Sequence, residues 1–499
     1  MKRNLFIVAA LFSFCLSFAQ MQDLATMAKG KLDYSSTVYD ANENLYGYLY
    51  IYEKNVTERN KTMEYVLLDR NLNKVSNAEF TIEAYKEVFS TYYDCTLMDD
   101  YIILNKYFYY IAGFSGMSKP LLTTFQIINL KNNSISLDYV YEDNKLSSFK
   151  AEFDDMKKIY KKNESKYIVN CFSNSDFKGF IITEDKKKDS YLEKDIIFLG
   201  EDRNELWRYT YNPDGRENRY NTFRLLTSDK KNIYLTVSKW YKDPTIGLKL
   251  QRYSIVALDI KTGEEVYEYE LENKAGPYTH SVSARIFNNK LYLTGRYKAN
   301  SDYVTYDYLG LYRIVVDSVG QEENKKYVPW TKFADSLKIN KRGKVNTFYR
   351  LNPTRYFIFK DGSVSFLSEM YKTFNSSFVI TDFVVFNMDE NFEFKNINII
   401  KKEKSYYGSD FRFYQYIKDD SAVVFFYTDD KPLATAGEPK QVLGITTLTR
   451  GEITEEKIPL VTKKKYYIQP MPAKEGYIML REYNEVDKYN KIRLEKLNY

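Results

Sequence analysis

Few residue types in this chain could do chemistry, so they are weighed first. Its single histidine, His280, lies in GPYTHS at 276–281. A zinc site draws on several His or Cys ligands, and a Ser-His-Asp relay would have to run through His280. A hydrogen-bonded structural histidine near the start of an inner strand is the preferred expectation. Gly113-Phe114-Ser115-Gly116 lacks one spacer of G-x-S-x-G. Phosphate-cradling glycine loops are absent. Asp40, Asn42 and Asn44 start like a calcium loop, but Leu45 and Ile51 stand where Gly and Glu are required. No catalytic residue, metal ligand or cofactor is therefore assigned.

Two carboxylates a few ångströms apart could cleave glycosidic bonds. Asp99, Asp100, Asp154 and Asp155 stand near strand ends, but 67 acidic residues give no way to select a pair. The aromatics offer a binding face instead: Tyr278, Trp240, Trp207 and Trp330, with His280, fall at or near strand ends or insertions. Amphipathic rings anchor ligands at low entropic cost. Packing between structural units is the competing role and the preferred one.

Cys95 and Cys171 are the two cysteines outside the leader, and the pair available for a disulfide. Such a bridge would contribute ~4 kcal/mol on chain-entropy grounds. Two free, buried thiols are the preferred reading.

The elements that must position these residues show as a repeat. YSIVALDIKTGEEVYEYELE at 253–272 is an apolar strand, a polar turn and a second strand, and six further segments match it. They lie at 65–75, 125–139, 195–211, 311–323, 383–397 and 442–458. The residues opening the turns are Asp69, Asn129, Gly200, Asp259, Asp317, Asn387 and Thr447, spaced 58 to 71 apart. Ahead of the hairpins run Tyr-rich strands, among them 42–52, 101–110, 166–172, 231–241, 288–297, 360–371 and 421–430. An eighth copy at 475–499 carries two strands and lacks the outermost. Four strands per unit of ~60 residues predicts an all-β fold, a single β-propeller. Eight four-stranded blades are expected, with seven as the alternative. The segment 22–34 would complete the last blade and remove an exposed edge.

MKRNLFIVAALFSFCLSFA at 1–19 has a basic start, a short apolar core and a small-residue cleavage site. It predicts a signal peptide, followed by one propeller domain over 20–499. Phe14 before Cys15 argues against a lipoprotein. Without Lys2 and Arg3, 71 basic residues face 67 acidic ones. That near balance gives no broad attraction to nucleic acid. No later apolar run is long enough to span a membrane as a helix. Glu495, Arg493 and Lys491 break the alternation that a lipid-facing final strand needs. The charged runs 185–189 and Lys338 to Lys344 read as solvated loops.

The leader ending in Ala-Gln, the Tyr/Lys-rich strands and the closing IRLEKLNY resemble secreted proteins of unknown function from Gram-negative bacteria. The resemblance implies an exported, propeller-like protein and carries over no catalytic residue. The combined expectation is a monomeric binding or scaffolding module for a protein or glycan partner. It would work in the periplasm or outside the cell. The alternative is a carboxylate-dependent hydrolase or lyase acting on glycans.

Overall fold

A computed structural model describes residues 21–40, 44–112, 117–142, 145–149, 151–152, 165–173, 177–186, 194–211, 218–242, 249–272, 276–299, 307–374, 377–406, 409–430, 441–460, 466–484 and 489–498. The protein is all-β. The strands form consecutive antiparallel units, most of them meanders in chain order. Units 1 to 7 occupy 31–83, 89–148, 165–211, 218–270, 278–329, 344–400 and 411–459. Unit 8 occupies 467–496 and takes its fourth strand from Met21–Asp23.

The seven hairpins expected from sequence all form, as the third and outer strands of units 1 to 7. In unit 2 that outer pairing is only two residues long, Ile128 with Ile135 and Asn129 with Ser134. Aspartates hold several turns: the Asp259 side chain accepts the backbone N–H of Lys261 and Thr262 at 2.8 and 3.0 Å. Asp69 and Asp317 do the same in units 1 and 5. In unit 6 the turn belongs to Asp389 rather than Asn387, which lies in the strand and bonds Asn396 and Asn398. In unit 3 the Tyr-containing segment 166–172 is the first strand, and Lys178–Lys186 is the second.

Sheet faces are buried against the neighbouring units in order. Leu49 and Tyr65 of unit 1 pack with Tyr92 and Ile102 of unit 2. Ile103 and Phe125 of unit 2 meet Phe180 and Ile197 of unit 3. Phe198 and Trp207 of unit 3 meet Leu235 and Val256 of unit 4. Ile255 and Ala257 of unit 4 meet Leu293 and Tyr312 of unit 5, and Leu311 and Val328 of unit 5 meet Phe366 and Val384 of unit 6. Leu367 and Phe383 of unit 6 pack with Val423 and Phe425 of unit 7, and Val424 and Leu443 of unit 7 with Ile478 and Leu480 of unit 8. Met479 and Ile492 of unit 8 then pack on Tyr50 and Val66 of unit 1. Successive residues such as Ile255 and Val256 serve opposite neighbours. A strand buried on both faces therefore reads as a continuous apolar run.

The first strands of units 1 and 2 touch at one parallel pair, Tyr39 with Thr96, which joins these two units into a single ten-stranded sheet. At the seam, Met21, Gln22 and Asp23 pair with Arg493, Ile492 and Lys491. A short helix, Leu24–Met27, follows and buries Leu24 completely. The strand exchange expected of 22–34 is thus made by 21–23, while Lys31–Tyr39 becomes the first strand of unit 1.

Candidate ligand cleft between units 5 and 6

The outer strand of unit 5, Glu322–Pro329, runs into a 3-10 turn, Trp330–Phe333, and a one-turn helix, Ala334–Leu337. Lys338 ends the helix in the left-handed conformation (φ 51°). Asn340 then shapes the following loop by accepting the N–H of Arg342 and Lys344 at 2.9 and 3.1 Å. Gly343 (φ +74°) lets that loop lie on the Trp330 ring, since a Cβ there would fall 2.7 Å from the indole nitrogen. The indole N–H donates to Tyr308 O at 2.7 Å. Trp330 therefore contacts both Tyr308 and the loop at Gly343.

Over this anchor opens a cleft of about 440 Å³, within the usual range for small-ligand sites. Its charged lining is Arg296, Arg342, Arg350 and Asp307. Arg350 Nη2 lies 3.4 Å from one Asp307 carboxylate oxygen, and Arg342 Nη1 lies 4.0 Å from the other. Arg296 stacks on Tyr308, 3.7 Å from the ring centroid, and donates from Nη1 to Leu351 O at 2.9 Å. Its Nε is buried and meets no acceptor among the described residues. Burial pulls the Arg296 pKa below the ordinary arginine value. Among the described residues the cleft thus holds three guanidinium groups against one carboxylate. Tyr371 and the 56 % exposed Phe378 form an aromatic wall, with ring centroids 5.7 Å apart.

The neighbouring cleft between units 6 and 7, about 270 Å³, is lined by Lys402, Glu403, Asp410, Arg412 and Asp429 among others. Here charge is matched internally. Lys402 pairs with Asp410, Lys457 pairs with Asp429, and Asp429 accepts the Glu403 N–H at 2.8 Å. Under this floor the fully buried Glu369 accepts the N–H groups of Asp410 and Phe411 and the Ser409 hydroxyl. Burial raises the Glu369 pKa, partly offset by those hydrogen bonds.

Of the aromatic candidates, Trp330 lines the cationic cleft. Trp207 packs between units 3 and 4 and donates its indole N–H to Ile260 O at 2.8 Å, the packing role rather than a binding one. Trp240 sits in Asn232–Lys242, opposite Tyr220 and Gln251. Tyr278 and His280 lie in the first strand of unit 5. Tyr278 packs edge-on to Tyr297, and His280 shares a hydrogen bond of 2.9 Å with the Tyr327 hydroxyl. His280 is buried, and desolvation lowers its pKa to about 3.

Cys95 is a free, buried thiol that donates to Thr37 O at 3.6 Å. It faces unit 1, and Cys171 lies in Ser165–Ser173, the first strand of unit 3. Asp99 and Asp100 pair with Lys178 and Lys131, and Asn44 N–H donates to the Asp40 carboxylate at 2.9 Å. Residues 1–20, Asn42, Gly113 to Gly116, Asp154 and Asp155 lie outside the described residues. Among the described residues no group of three or more His, Cys, Asp or Glu is placed to hold a metal ion, and no helix is long and apolar enough to cross a membrane.

Sequence reasoning passed over Arg296, Asp307, Arg342 and Arg350. The one local signal was the basic run Lys338 to Lys344, read as solvated, which supplies Arg342 and Gly343 to the cleft.

Several solved structures share features of this fold at low identity. Polysaccharide lyase Uly1 is 6% identical, with 81% of this chain and 89% of that chain covered and a TM-score of 0.41. The β-propeller domain of the Trilobed protease from Pyrococcus furiosus is 12% identical, with coverages of 86% and 96% and a TM-score of 0.36. A Penicillium chrysogenum alpha-L-arabinanase complexed with arabinobiose is 11% identical, with coverages of 66% and 97% and a TM-score of 0.31. No curated protein matches the sequence. Residues 1–379 match a family model, and the chain belongs to that family, a family of unknown function (DUF6770).

Proposed function

We propose that this protein is a single eight-bladed β-propeller serving as an exported binding module, with its ligand cleft between units 5 and 6. The ring reading is supported by the order of packing, in which unit 8 lies against both unit 7 and unit 1. Completion of unit 8 by Met21–Asp23 supports it as well. In this reading residues 1–19 are a cleaved leader, and Gln20 directly precedes the closing strand. The protein works in the periplasm or outside the cell as a monomer.

One observation carries the binding reading: the cleft holds three guanidinium groups and one carboxylate. Guanidinium forks recognise ligands through fixed donors. A glycosidase-like mechanism needs two carboxylates flanking the bond, and among the described residues this cleft presents Asp307 alone. The test is a glycan array and a partner pull-down with the mature protein, wild type against Arg342→Gln/Arg350→Gln. The expected result is a specific ligand that the double variant no longer retains. A ligand held equally by both proteins would overturn the reading.

A second reading, a carboxylate-dependent enzyme acting on glycans, is favoured by the raised pKa of Glu369 beside Asp410 under the second cleft. It expects turnover of a glycan that Asp410→Asn abolishes. No turnover across a broad polysaccharide panel would end it.

A further inference from the structure

We propose that the cleft between units 5 and 6 takes a uronate-bearing oligosaccharide, an inference that rests on the binding reading above. Three features select this chemistry. The first is charge. Among the described residues, Asp307 offsets one of the three guanidinium groups, leaving an excess of positive charge for an acidic ligand. Arg350 and Arg342, with side chains 39 % and 63 % exposed, are the accessible ones, whereas Asp307 at 10 % is held behind them. A guanidinium presents two parallel N–H donors that match the two oxygens of a carboxylate.

The second feature is the aromatic wall. Phe378 is exposed beside Tyr371, and such ring faces cover the apolar C–H face of a pyranose. An acidic peptide supplies carboxylates without that flat ring surface. The third feature is the neutral polar lining. Asn352 and Thr373 add donors and acceptors suited to ring hydroxyls. Guanidinium forks take phosphate as well as carboxylate, so the aromatic wall and the neutral polar lining are what favour a sugar, and ADP serves as the phosphate probe. The cleft offers side chains from strands and one short loop.

The test is titration calorimetry on the mature protein with four probes: a panel of uronate trimers, the matching neutral hexose trimers, penta-glutamate and ADP. Wild type, Arg350→Gln, Arg342→Gln and Phe378→Ala are compared, with Arg412→Gln in the second cleft as a control. The expected result is binding of at least one uronate trimer that weakens tenfold or more in Arg350→Gln and severalfold in Phe378→Ala. It should also weaken from 50 to 300 mM salt and stay unchanged in Arg412→Gln. The largely exposed Arg342 makes Arg342→Gln the informative variant should Arg350→Gln fold poorly.

Penta-glutamate or ADP binding at least as tightly as every uronate, and lost in the arginine variants, would overturn the sugar assignment and leave the binding cleft standing. Neutral trimers binding equally, with Arg350→Gln and Arg342→Gln silent and Phe378→Ala weakened, would overturn the acidic assignment but not the cleft. Silence from all probes, or binding indifferent to every cleft variant, would overturn both.

Discussion

A guanidinium nitrogen of Arg285 lies 2.8 Å from a carboxylate oxygen of Asp420, although the first residue belongs to unit 5 and the second to unit 7. The same guanidinium donates to Ile358 O of unit 6 at 2.6 Å and stacks 4.1 Å from the Tyr416 centroid. One side chain thus contacts three consecutive units. Asp420 is held by a turn in which Lys418, Asp419 and Asp420 are all left-handed (φ 54°, 53° and 59°), a conformation that stores strain in residues other than glycine.

Arg285→Ala is expected to lower stability by about 1–3 kcal/mol, since it removes the Ile358 bond and leaves Asp420 without this cation. Urea melts of the two proteins measure it. Arg285→Lys should recover only part of the loss, because an ammonium lacks the forked reach. Melts within error of wild type would show that the three units do not depend on this link.

Gly263, in the turn of the hairpin at 253–272, lies against the Trp207 indole of unit 3. Gly263 has φ +71°, and a Cβ there would fall 2.5 Å from the indole of unit 3. Gly263→Ala should therefore cost about 2–4 kcal/mol, the sum of left-handed strain and overpacking. In a Trp207→Ala background the overpacking part should vanish and the cost fall to about 1 kcal/mol. A double-mutant cycle reads this coupling, and strictly additive losses would contradict the contact.

His280 makes stability depend on pH in a definite direction. Folding holds its pKa at about 3 by burial and by the nearby cations Lys325 and Arg252. In the unfolded chain the ring titrates near 6.5. Between those values the unfolded state binds a proton that the native state refuses, so native stability falls as pH drops through the window. The contribution is about 1.4 kcal/mol per pH unit once below ~6. Asp33 and Glu369, whose carboxyls burial pushes up, act in the opposite sense, so the comparison must be differential. The stability difference between wild type and His280→Gln should shift with pH from 6 to 4 and stay flat from 7 to 9. A difference constant over the whole range would contradict a neutral, buried His280.

The seam should open as a unit. Leu24→Asp places a charge in the cluster shared by units 8 and 1. Hydrogen exchange should then speed up together in Tyr489–Lys496 and Leu45–Val56, segments far apart in sequence. Faster exchange confined to residues near 24 would show that unit 1 does not depend on closure.

The hairpins were legible because turn chemistry is local. Asp69, Asp259 and Asp317 cap their own turns within four residues, so type and spacing announce them. Asn387 looked equivalent and was not, because its amide is used in a buried network with Ser365, Asn396 and Asn398. The cleft was illegible for the converse reason. Arg296, Asp307, Arg342 and Arg350 come from two units and meet only after unit 6 packs on unit 5. Trp207 illustrates the ambiguity of aromatics: a tryptophan near a turn can face solvent or the next unit, and contacts from unit 4, such as Gly263 and Ile260 O, decide.

Pairing of Met21 with Arg493 also sets an order of events during folding. These residues are about 470 positions apart, so their contact carries the greatest loop-closure entropy in the molecule. Units 1 to 7 close their own hairpins from neighbouring segments and can form while the chain is still emerging. The eighth also needs Met21–Asp23, and until that strand docks Tyr489–Lys496 is an open edge able to pair with another chain.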